Sequence, residues 1–100
     1  MLILSKKVGC SPEVKNISDK SDMLKTLQES VKGFIESVSF HTEAGNFAVI
    51  CNEEGRLMGL PYNCIIEGVD FVGDIVIAGI GADDFTDIPD GVVRYLQRAI

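Results

Sequence analysis

Cysteine and histidine are scarce in this chain: three Cys (Cys10, Cys51, Cys64) and one His, His41. The cysteines are odd in number and none stands at metal-ligand spacing. A disulfide framework and a structural zinc site are therefore not expected, and the thiols read as reduced, at least one of them buried as a small hydrophobe. Long apolar runs are missing too; none approaches the roughly 20 residues that cross a bilayer. At Met1 to Lys7 the basic pair follows the apolar residues, the reverse of a secretory leader, so a cytoplasmic location is expected. Positive charge is nearly absent beyond residue 32. Residues 33–100 hold three Arg and no Lys against eleven acids, whereas residues 1–32 hold six Lys against four. With a net charge of −6 and no concentrated basic face, direct nucleic-acid binding is disfavoured. Such a surface keeps a chain soluble or attracts a basic protein partner.

What is present is strand chemistry. One hundred residues make one domain, 1–100, with no internal repeat or low-complexity segment. Leu2 to Val8 and Glu13 to Ile17 form an expected hairpin around the turn Gly9 to Pro12, the second strand charged as an edge strand should be. An amphipathic helix is expected over 21–32, with Ser21 as N-cap, an apolar stripe of Met23, Leu24, Leu27 and Val31, and Gly33 as the left-handed C-cap. Phe34 to Phe40 is the third strand, with Glu36 sharing the face of Phe34, Val38 and Phe40. His41 to Gly45 is a loop leading into an antiparallel partner over 46–51, apolar on both faces. Ile75-Val76-Ile77-Ala78 marks a central strand, 74–80. A second helix, 88–99, starts near Thr86 or Asp87 and carries Ile88, Val92, Leu96 and Ala99 on one side. The fold class is α+β: a small twisted, mainly antiparallel sheet of five or six strands with two helices, and barrel-like closure as a further option.

The most distinctive stretch follows the 46–51 strand. Asn52-Glu53-Glu54-Gly55 has the composition of a type I turn ending in a bulge, so Arg56 to Leu60 is expected to return as a hairpin strand that Pro61 ends. A sharp bend at Gly59 or Pro61 would fold Tyr62 and Asn63 back towards the turn. On that reading Asn52, Glu53, Glu54, Tyr62 and Asn63 form one ligand or partner site, with amides and carboxylates supplying directed hydrogen bonds. The competing reading is structural. Asn52 then satisfies the turn backbone, the glutamates are solvated at the tip, and Asn63 pins an unusual backbone path.

Catalytic constellations are weak. Cys51 with His41 would need a thiolate in an electropositive spot, and the two glutamates after Cys51 should raise its pKa instead. Adjacent Glu53 and Glu54 do not face each other across a substrate. Asp83 to Asp90 has the acids of a calcium loop without its central Gly or closing Glu, and Gly79-Ile80-Gly81 has no following Gly-Lys-Ser.

The phrase Ile50-Cys51-Asn52-Glu53-Glu54-Gly55, with Leu57 and Gly59-Leu60-Pro61-Tyr62-Asn63, resembles a family of small uncharacterised bacterial proteins. That family is classed as a domain of unknown function and is carried on phages, plasmids and conjugative elements. Its phrase is close to I-C-N-E-E-G-K-L-x-G-L-P-x-N-R. Gly33-Phe34-Ile35-Glu36, Gly73 and Asp84-Phe85-Thr86 are similar as well. Cys64 stands where the family often has a basic residue, which puts a shared ligand in doubt. The resemblance implies a setting and no activity. The expected function is a non-enzymatic accessory protein acting through protein interaction with a host or element-encoded partner. It is expected to be a monomer, with a weak homodimer as the other option, and to have no cofactor, metal or membrane. The alternatives are a sponge or sensor for a nucleotide or metabolite and, more weakly, a thiol- or carboxylate-based hydrolase.

Overall fold

A computed structural model describes residues 1–18 and 20–100, apart from the Lys20 side chain. The strands are β1 (Leu2–Lys6), β2 (Glu13–Asn16), β3 (Ile35–Thr42), β4 (Gly45–Asn52), β5 (Tyr62–Ile66), β6 (Val69–Val72), β7 (Ile75–Ile80) and β8 (Phe85–Thr86), and the helices are α1 (Met23–Val31) and α2 (Asp90–Ala99). The main sheet has six strands in the order β2-β1-β7-β4-β3, with β8 pairing β7 beside it, while β5 and β6 form a separate two-stranded hairpin. Every strand pair is antiparallel. The class is α+β, as the patterning implies. Among the described residues the sheet stays open, with β2 and β3 at its ends, and does not close into a barrel.

Alternation along β4 and β7 explains the layering. Phe47, Val49, Ile75 and Ile77 point to one side and pack with Leu4, α2 residues Val92 and Leu96, and Ile66 and Phe71 of the β5–β6 hairpin. Ile50, Val76 and Ala78 point to the other and pack with Ile3, Leu27 and Val31 of α1. The two helices therefore cover opposite faces, and β7, flanked by β1 and β4, lies in the interior with five of its six residues buried. Strands covered on both faces carry unbroken apolar runs, which is why 75–78 stands out in the sequence.

Several local expectations are corrected. Ser21 lies within a 3₁₀ turn, Lys20–Asp22, and Asp22 occupies the N-cap position of α1 without a side-chain capping bond. Leu24 is exposed rather than part of the buried stripe. Lys32, not Gly33, takes the left-handed conformation (φ 62°) at the helix end. His41 belongs to β3, which a two-residue turn at Glu43 and Ala44 joins to β4. Thr86 pairs with Gly79 in β8, so the second helix begins later, at Asp90 after Pro89.

The largest correction falls on Arg56 to Leu60, which is not a strand. Both edges of β4 are already taken, by β3 and β7, leaving no place for a hairpin partner. The segment instead makes one helical turn. Met58 N–H bonds Glu54 C=O at 2.9 Å, Gly59 N–H bonds Arg56 C=O at 3.2 Å and Leu60 N–H reaches Gly55 C=O at 3.0 Å. The last two bonds with Gly59 at φ 67° form a Schellman motif, which needs a left-handed residue at the position that Gly59 holds.

Candidate functional site

Asn52 ends β4 and is 6% exposed. Its Nδ2 donates to the carbonyls of Val31 (3.0 Å) and Lys32 (3.3 Å), satisfying acceptors that the end of α1 leaves open. Its Oδ1 accepts the Glu54 N–H at 2.8 Å, capping the helical turn that follows. One amide thus ties the end of a helix to the start of the next turn. Gly33 belongs to the same joint: a Cβ there would stand 2.6 Å from Asn52 Nδ2. Space, rather than backbone freedom, demands the glycine.

Asn63 has a parallel role elsewhere. Its Nδ2 donates to the carbonyls of Lys6 (2.9 Å) and Gly73 (2.7 Å), joining the ends of β1 and of the β5–β6 hairpin. Its Oδ1 is buried with no hydrogen-bond partner among the described residues. The chain does bend between 59 and 63, with Leu60 lying against Gly55 and Gly73 and Pro61 C=O accepting from Gly73 N–H. The two amides nonetheless bind different parts of the backbone.

A groove of about 210 Å³ lies where β3, the end of β4, the 53–58 turn and β6 meet. Glu36, Val38, Cys51, Glu53, Arg56, Leu57 and Asp70 contribute to its walls. Arg56 Nη2 donates to the Asp70 carbonyl at 2.8 Å, fastening the turn to β6. Of the five expected site residues, Asn52 and Glu53 border the groove, whereas Glu54, Tyr62 and Asn63 stand outside its walls. Sequence reasoning missed Arg56, Leu57 and Met58 as surface residues by assigning them to a strand. Leu57 is 89% exposed and Met58 55%, and Phe34, whose carbonyl accepts from Glu53 N–H at 2.8 Å, is 69% exposed. The signal was available: Asn52 and Gly59 are an N-cap and a C′ residue bracketing one helical turn.

The Cys51 thiol is pushed up by burial first and then by the Glu36 carboxylate, with Arg56 opposing. The acid responsible sits directly across the ladder, not in the turn. Burial likewise pushes up the Cys64 thiol against the nearby Lys6. His41 is five positions along β3 from Glu36, the partner of Cys51, so about 16 Å separates thiol and imidazole positions along the strand. All three cysteines are free. Among the described residues no three His, Cys, Asp or Glu side chains converge as a metal ion requires. Among the described residues no helix is long and apolar enough to cross a membrane.

These features define a small α+β protein with an acidic, partly apolar groove beside one edge of its sheet. The chain belongs to the family described as Domain of unknown function (DUF3846), whose model matches residues 1–100. Neither a curated protein nor a solved structure matches it.

Proposed function

We propose that this protein is a non-enzymatic accessory protein of a mobile genetic element that binds another protein, host or element-encoded, through the groove and the 53–58 turn. One observation carries the reading: Leu57 and Met58 hold large apolar side chains out to solvent on a turn whose backbone is closed by a Schellman motif and fastened by Arg56. Isolated exposed hydrophobes need no explanation, but two adjacent ones beside a groove favour an interaction surface. Burying Leu57 against a partner would contribute about 2 kcal/mol. The carboxylates of Glu36, Glu53 and Asp70 around the groove favour a partner with basic residues beside its apolar anchor. The mobile-element setting and the cytoplasmic location rest on the resemblance of the motif.

A nucleotide or metabolite sponge acting through this groove fits less well. The groove's 210 Å³ falls below the roughly 300–1,000 Å³ of small-molecule sites. A thiol hydrolase is weaker still, given the raised Cys51 pKa and the distance to His41. The test is affinity capture from bacterial lysate with wild type, Leu57→Ser/Met58→Ser and Glu53→Lys/Glu54→Lys, each shown to be folded by thermal unfolding. The expected result is a set of proteins held by wild type and lost from both variants. Identical sets from all three proteins would overturn the reading.

A further inference from the structure

The outer edge of β3 is open. Among the described residues no strand pairs with it on the side away from β4. Natural sheets blunt such edges with short strands, Lys, Pro or bulges. The opposite edge follows that rule, since β2 has four residues, all exposed, and carries Glu13 and Lys15. β3 does not. It runs eight residues, Ile-Glu-Ser-Val-Ser-Phe-His-Thr, without Lys, Arg or Pro, and pairs with β4 from Ile35↔Asn52 to Thr42↔Gly45 without a break in register.

The orientation of its backbone follows from one bond. Phe34 C=O accepts from Glu53 N–H, directly opposite in the antiparallel ladder, and bonded and non-bonded pairs alternate along such a ladder. Glu36, Val38, Phe40 and Thr42 therefore direct their N–H and C=O groups to β4. Ile35, Ser37, Ser39 and His41 direct theirs to the open side. Ser37, Ser39 and His41 are exposed, and an added strand would meet two small serines at the middle of that face.

From this geometry we infer that β3 receives an extended, basic segment of the partner protein as an additional strand. The inference rests on the interaction reading above and supplies its mode. Strand addition takes its affinity from main-chain hydrogen bonds and its specificity from alternate side chains. Here the alternate positions are Glu36 and Val38, both in the groove wall with Glu53 and Leu57. A second acidic spot, Glu43 and Glu67, lies in an open depression at the far end of β3. The matching segment is about eight residues long and alternates, with Lys or Arg and an apolar anchor on the groove side and small polar residues on the other. A second copy of this chain is a poor occupant, because it would bring its own charge of −6 and the same carboxylates to the edge.

The probe is a random 12-residue phage-displayed peptide library panned against the folded protein, with enriched peptides synthesised and titrated into isotope-labelled protein. Enriched peptides are expected to be net positive. When bound, they should slow amide exchange at Ser37, Ser39 and His41 at least tenfold, and leave Val38 and Phe40, already bonded to β4, nearly unchanged. Ser39→Pro removes an outward N–H while sparing the β4 ladder, and should weaken the peptides at least tenfold. Should that variant fail to fold, the alternating exchange pattern in wild type decides. Peptides that bind without slowing the alternate amides would overturn strand addition and leave the interaction reading standing. A concentration-dependent dimer that protects the same amides without peptide would assign the edge to a second copy and overturn the inference. Failure to enrich any peptide over an unrelated bait would also count against it, with lysate capture still judging the interaction reading separately.

Discussion

Replacing Asn52 by alanine removes three hydrogen bonds at once, to the carbonyls of Val31 and Lys32 and from the Glu54 N–H. Each is worth about 1 kcal/mol net, and backbone groups left without partners at a buried position add to the loss, so the expected cost is roughly 3 kcal/mol. That is a large part of the 5–15 kcal/mol typical of a domain. For a chain of this size the unfolding midpoint should fall on the order of 15 °C. Asn52→Asp has the same shape and is informative beside it. One carboxylate oxygen would still accept from Glu54, while the other would face the two helix-end carbonyls that the amide now satisfies. Its cost at neutral pH should equal or exceed that of alanine. Thermal unfolding followed by circular dichroism measures both. If Asn52 were mainly a ligand-binding residue, both variants would unfold close to wild type. A fall of less than about 3 °C would refute the capping account.

Gly33→Ala should destabilise by displacing the Asn52 amide, and in an Asn52→Ala background the same change should cost less; unfolding of the four proteins measures that coupling. Iodoacetamide at pH 8 should modify exposed Cys10 first, with Cys51 and Cys64 slower because burial holds both thiols above their ordinary range. The same two thiols set a sign for pH. The unfolded chain ionises them first, so their contribution to stability should be lost as pH rises from the ordinary thiol range through their raised folded values, and Cys51→Ala/Cys64→Ala should flatten that part of the urea-midpoint profile. Tyr95 donates to Glu67 at 2.7 Å, and that bond, helped by some burial and the nearby charge, raises its pKa. Glu67→Gln should return the phenol towards its usual value in an ultraviolet titration.

The layout of the sheet was legible where burial on both faces leaves an unbroken apolar run, as at Ile75 to Ala78, and where alternation meets a turn, as at Leu2 to Ile17. Element ends were less so. Gly33 looks like a C-cap, yet Lys32 carries the positive φ and Gly33 is small because Asn52 arrives from a residue 19 positions later. Tertiary contacts of that kind leave no local periodicity. The 53–58 turn was misread because one helical turn is too short to show a 3.6-residue repeat, and Asn-Glu-Glu-Gly serves a hairpin equally well by composition. The covered faces of both helices depend on which strands lie beside β4, information held in no single segment. Of the candidate site, the polar identity of Asn52 and Glu53 was visible in the sequence. That Asn52 faces inward and Leu57 outward was not, since placing Asn52 in a turn and Leu57 in a return strand gives the two residues no such contrast.

The motif divides into residues that hold the joint and residues that are presented. An alanine scan of residues 52–63, reading unfolding midpoint and lysate capture on the same preparations, tests that division most directly. Asn52→Ala and Asn63→Ala are expected to lower the midpoint by 10 °C or more, on the order of 2–3 kcal/mol each. Leu57→Ala should leave the midpoint within about 2 °C, as its exposure implies, while the captured set is lost. A Leu57→Ala protein that captures the same set as wild type would contradict the account.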